Sequence, residues 1–136
     1  MAHARQTIRE AVAALVTGLT TTGPRVFQSR MAQQNSLPCL LVTTEEEQIE
    51  PGAFEKQLDR RLTIRIIGLA KATSNVDDTL DTIAAEVETA LGTNLAYQLT
   101  AIAVDFDDTL EKPAGRIALD FGYRYFTNAG APGTTL

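Results

Sequence analysis

FEKQLDRRLTIRIIGLA, residues 54–70, is followed three residues later by SNVDDTLDTIAAEVETALG, residues 74–92, and between them the spacing of apolar side chains changes from two to about 3.6. In the first stretch Leu58, Leu62, Ile64 and Ile66 fall on one side and Arg61, Thr63, Arg65 and Ile67 on the other, which predicts a strand with one buried face. In the second, Leu80, Ile83, Ala84, Val87 and Leu91 share one helical face. Ser74 or Asn75 can cap its start, Asp77 and Asp78 suit the positive end of the helix dipole, and Gly92 suits the stop.

Upstream, Ile8, Val12, Leu15 and Leu19 form a stripe that predicts a helix within residues 3–19, ended by Gly18 and the run TTTGP. RVFQSR reads as a short strand through Val26 and Phe27, and MAQQNS as a loop. After Pro38, CLLVTT reads as a strand running out of the core toward Glu45, Glu46 and Glu47, and Pro51 and Gly52 mark a turn. Downstream, Ile102, Val104 and Phe106, then Ile117, Leu119, Phe121, Tyr123 and Tyr125, alternate on either side of DDTLEKPAG, where Pro113 and Gly115 predict the turn of an antiparallel hairpin. The order is α-β-β-β-α-β-β. It predicts an α+β two-layer sandwich, a mostly antiparallel sheet of four to five strands with two helices on one face. Residues 1–127 make one domain, and 128–136, NAGAPGTTL, read as a flexible tail.

A chain of 136 residues with 44% apolar content can bury a core without disulfide or metal. The single cysteine, Cys39, excludes an internal disulfide and reads as a small apolar strand residue; His3 reads as a terminal residue without a partner. No apolar run approaches the roughly 20 residues that span a bilayer, and MAHARQTIRE lacks the order of a signal peptide, so a soluble, unexported protein is expected. A net charge of −5 disfavours general attraction to nucleic acid or anionic lipid and leaves protein partners or self-association.

IAVDFDDTL, residues 102–110, resembles the first motif of haloacid dehalogenase-type phosphatases, in which Asp105 would be the nucleophile and Asp107 an acid or base beside Mg²⁺. That chemistry needs a parallel doubly wound sheet and later catalytic elements, and the 26 residues beyond the motif supply neither a second acidic pair nor a lysine other than Lys112. A strand ending in an acidic turn, with Phe106 inward, is the reading preferred. No catalytic residue, metal or cofactor is assigned. On the strand faces opposite the helices, parity gathers Arg61, Thr63, Arg65, Asp105, Asp107, Arg116, Asp120 and Arg124, with Ile67 and Phe126. They form either a solvated face with ordinary ion pairs or a subunit contact whose complementary charges set register.

The whole pattern resembles the tail terminator, or tail completion, proteins of long-tailed bacteriophages, of the lambda-like minor tail protein type. The resemblance runs through TIREAVAALVTGL, LPCLLVTTEEEQIE, RRLTIRIIGLA, VDDTLDTIAAEVETAL and TAIAVDFDDTLEKPAGRIALDFGYRYFT. It implies a non-enzymatic virion protein that caps the tail tube as a homohexameric ring, ends tail polymerisation and offers a surface for head attachment. The implied partners are further copies of the chain, the tail tube protein and a head completion or connector protein, with no membrane and no sequence-specific nucleic acid. A head-to-tail connector is the alternative. Candidate contacts are an acidic loop from Glu45 to Glu50, the turn from Asp107 to Gly115, the C-terminal tail and the charged sheet face.

Overall fold

The computed structural model of the chain describes residues 2–28, 37–107 and 113–136, and of Asp107 the backbone alone. The elements are α1 (Ala4–Leu15), β1 (Val26–Phe27), β2 (Cys39–Pro51), β3 (Gln57–Lys71), α2 (Val76–Gly92), β4 (Tyr97–Asp107) and β5 (Ala114–Asn128). The element order is the one expected, and the five strands form one sheet in the order β1-β2-β3-β5-β4. Only β1 against β2 is parallel; β2–β3, β3–β5 and β5–β4 are antiparallel.

The register follows from burial. Leu62, Ile64 and Ile66 of β3 lie opposite Tyr123, Phe121 and Leu119 of β5 on the face that both helices cover. All five apolar positions expected on α2 are buried there. From α1 come Ala4, Ile8, Val12 and Ala13, followed by Val16. Leu15, expected inward, is exposed and Val16 takes its place, because four-residue steps from Ala4 through Ile8 and Val12 lead to Val16. His3 has a role that the sequence did not suggest. It is the N-cap of α1, its Nδ1 accepting the Arg5 backbone N–H at 3.1 Å, and burial, then Arg5, hold the imidazole below its ordinary value, leaving the ring neutral to accept.

Several expectations are corrected. Glu45 to Glu50 is not a loop but the second half of β2, paired with β3 as far as Pro51↔Leu58. Gly115 lies inside β5, where a Cβ would come within 2.5 Å of Val76 Cγ2, so its missing side chain admits α2 rather than bending a turn. The residues from 108 to 112, and the loop at 31–36, lie outside the described residues. The C-terminal segment, expected to be free, has defined contacts: Thr135 bridges Thr127, the Leu136 N–H donates to Phe126 O, and Pro132 O accepts the Ala4 N–H. No helix among the described residues is long and apolar enough to cross a membrane.

Gly68 is a second tight point between α2 and the sheet. A Cβ there would meet Ile83 Cγ2 at 2.8 Å and Ile117 Cγ2 at 3.1 Å. Gly68→Ala is therefore expected to cost about 1–3 kcal/mol in urea unfolding. Gly92→Ala, where nothing lies within 4 Å, is expected to be neutral or slightly stabilising.

Candidate functional site

Pairing in β3, β5 and β4 places Arg61, Thr63, Arg65, Asp105, Arg116, Asp120 and Arg124 on the single face turned away from the helices. The cross-strand neighbours are Arg61↔Arg124, Arg65↔Asp120 and Arg116↔Asp105. Asp107 has the same parity in β4, with its backbone opposite Ala114. The face is a lattice of ion pairs. Arg65 grips Asp120 through Nε at 2.8 Å and through its second nitrogen at 3.2 Å, and its remaining nitrogen reaches Glu45 at 3.3 Å. Arg124 grips Asp59 in the same two-pronged way at 3.0 and 2.8 Å, and Arg61 approaches the same carboxylate at 3.7 Å. The guanidinium of Arg124 also stands 5.1 Å over the Phe126 ring. Planar forks meeting carboxylates fix both partners in orientation, so the charged groups are held in place before any partner arrives.

One corner of this face is apolar. Cys39, Leu41, Ile67, Leu69 and Ala118 form a second buried cluster, with Phe27 and Leu37 packed on it. Ile67, expected at the contact surface, is therefore interior. Burial pushes the Cys39 thiol up to about 11, which suppresses the thiolate a nucleophile would need.

The acidic triplet divides between the two faces. Pairing slips between Thr44 and Glu47, so Glu45 points at Arg65 whereas Glu47 stands opposite Leu62 on the helix side. Without the bulge the two residues would share a face. Glu47, expected at the surface, has a side chain only 4% exposed; it accepts from Tyr125 Oη at 2.6 Å and from Arg60 at 3.1 Å, and Arg5 of α1 lies 3.4 Å from its other oxygen. Arg60, 9% exposed, also donates from Nε to Thr127 Oγ1 at 2.8 Å. Burial, then the Glu47 carboxylate, raises the Tyr125 phenol far above its ordinary value, so it remains a donor. This buried knot ties α1, β2, β3 and β5 together.

The Asp105 side chain accepts the neighbouring Phe106 N–H at 2.7 Å, at the end of an edge strand antiparallel to β5. The parallel doubly wound sheet that the phosphatase reading requires is not the sheet of this protein. Phe106, Ile102 and Val104 do face the helix side, yet none is interior, because the buried face of α2 packs mainly over β3 and β5, and of β4 only Tyr97 packs against that core.

No protein-family profile matches the chain, and no curated protein matches it.

Removing one member of a buried ion pair strands the other. Glu47→Ala is expected to cost about 3–5 kcal/mol in urea unfolding, and Glu47→Leu combined with Arg60→Met to recover most of that loss. A loss for Glu47→Ala no larger than that of an exposed pair would contradict the buried knot. On the open face, hydrogen bonding from Arg124 holds the Asp59 carboxyl below its ordinary 3.8. A depressed carboxyl stabilises the fold above its unfolded value and loses that contribution as pH falls through the lower folded value. The stability gap between wild type and Arg124→Ala is thus expected to be full above pH 3.8 and to close below it, measured by unfolding across acid pH.

Proposed function

We propose that this protein is a virion component that caps the tail tube of a long-tailed phage as a ring of six copies, ends tube polymerisation and presents the surface to which the head attaches. In this reading it is not an enzyme and takes no cofactor. It acts at the head-proximal end of the tail after assembly in the host cytoplasm. The observation that carries the proposal is the charged sheet face: acids and arginines from three strands, those of β3 and β5 oriented by two-pronged ion pairs, on a side that neither helix covers. The two-layer α-β-β-β-α-β-β order supports the resemblance on which the proposal also rests.

A closed ring needs heterologous contacts, in which one patch of a copy meets a different patch of the next. A face bearing both signs suits this, because it stays hydrated while free and selects register when it docks. Arg61, Arg65, Arg116, Arg124, Asp105, Asp107 and Asp120 are the candidates for the ring and tube contacts, with Glu45 and Glu46 at the β2 rim. Glu47 is excluded by its burial. Termination follows if the ring's far surface is unlike the tube's growing end, so that a further tube subunit finds no complementary patch.

The proposal is tested by adding the protein to polymerising tail tubes. Tubes are expected to stop growing and to carry the protein at one end. Arg61→Glu with Arg116→Glu is expected to abolish that capping at a cost of about 1 kcal/mol per site, because the new carboxylates face Asp59 and Asp105. Incorporation into heads rather than tails would favour the connector reading instead, and binding to neither would refute both.

A further inference from the structure

The sheet has two edges, and the protein treats them differently. At one edge β1 covers only Leu40 and Leu41 of β2, and the rest of β2 is defended against strand addition by Glu45, Glu46 and Glu50, by a bulge and by Pro51. At the other edge stands β4, YQLTAIAVDFD, eleven residues with no lysine, arginine or proline. Its outer side pairs with no strand among the described residues. On its helix-side face Leu99, Ile102, Val104 and Phe106 form an exposed apolar row, with Val104 at 56% and Phe106 at 51%. Its one irregularity lies between Leu99 and Ala101, so the six residues from Ala101 to Phe106 run straight. A long, straight, apolar edge is the kind that soluble proteins avoid unless it is occupied.

We infer that β4 is a docking strand for β4 of a second copy, pairing antiparallel across a two-fold axis near Ala103 to join two five-stranded sheets into one. Charge selects this occupant. Both acids of β4, Asp105 and Asp107, lie toward its C-terminal end. Antiparallel pairing about Ala103 sets Asp105 opposite Ala101 of the second copy, and at roughly 3.4 Å per residue the two Asp105 positions stand on the order of 14 Å apart. Parallel pairing would align the acids, and pairing with the free edge of β2 would bring them toward Glu45, Glu46 and Glu50. The same register places Ile102 opposite Val104 of the second copy, and Val104 opposite Ile102, so both apolar rows lie on one side of the joined sheet and shelter each other.

This contact is independent of the proposed ring. A two-fold pair closes on itself and cannot propagate around a ring, so the two assemblies use different surfaces that meet only at Asp105 and Asp107 of β4. They also respond oppositely to salt. The β4 contact joins two copies of net charge −5 through backbone and apolar groups, so salt screens their repulsion and tightens it. Contacts between ion pairs weaken as salt rises.

The test is sedimentation of the wild-type protein and of Val104→Lys, a substitution at an exposed site. The expected result is a wild-type dimer that tightens with salt, and a variant whose thermal unfolding matches the wild type at dilutions where both are monomeric and whose dissociation constant rises about tenfold or more. As a second measurement, Ala103→Cys is expected to form a disulfide-linked dimer on mild oxidation, with its new thiol facing itself across the axis. Leu95→Cys, 99% exposed but off the strand, is the control, and the native Cys39 is buried. A monomeric wild type, an assembly indifferent to Val104→Lys, or equal cross-linking of the two cysteine variants would overturn the inference. So would protection of the β4 amides from hydrogen exchange only when a different protein is added.

Discussion

Fifteen residues of β3 pair one for one with fifteen of β5, from Gln57↔Asn128 to Lys71↔Ala114, and this unbroken register governs the rest of the molecule. A slip of one residue would exchange the faces, sending Ile64, Ile66 and Phe121 to solvent and Arg65 and Asp120 beneath the helices. The apolar face therefore fixes the charged face. Burial of Leu62, Ile64 and Ile66 against α1 and α2 aligns Arg65 with Asp120 and Arg61 with Arg124 across the strands. The Glu47 knot holds one end of the ladder by joining β2, β3, β5 and the first turn of α1.

Much of this was legible in the sequence, because period reveals face. The inward positions of α2, the two sides of β3 and β5, the antiparallel partnership of β4 with β5 and the membership of the charged face all follow from alternation of two or about 3.6. Period does not reveal lateral order within a sheet. Ile102, Val104 and Phe106 have the pattern of a half-buried strand and are exposed because β4 is the outermost strand and α2 packs mainly over its neighbours β3 and β5. A single inserted residue is equally silent. The bulge after Thr44 reverses the direction of Glu47, and no run of three glutamates announces which one turns inward. The signal that could have identified it is Arg60, the one charged residue at an inward position of β3, beside Tyr125 and Thr127 at inward positions of β5, a polar group that requires a carboxylate. The cap by His3 rests on one side-chain acceptor for a backbone N–H, and the return of residues 132–136 to the domain on backbone hydrogen bonds, neither of which apolar periodicity encodes.

The result is a small domain with two outward surfaces of contrasting chemistry. The sheet face opposite the helices offers charges already fixed in orientation, suited to contacts that must select register. The β4 edge offers open backbone groups and an apolar row, suited to strand addition. In the proposed assemblies the two surfaces serve different contacts, with Asp105 and Asp107 of β4 the residues common to both.

The most direct measurement is cryo-electron microscopy of tails at a resolution that places side chains at the head-proximal end. The proposed role requires six copies there, with Arg61, Arg65, Arg116 and Arg124 of each against a neighbouring copy or the tube. Tail ends that lack this chain, or a ring whose charged sheet faces all point into solvent, would contradict it.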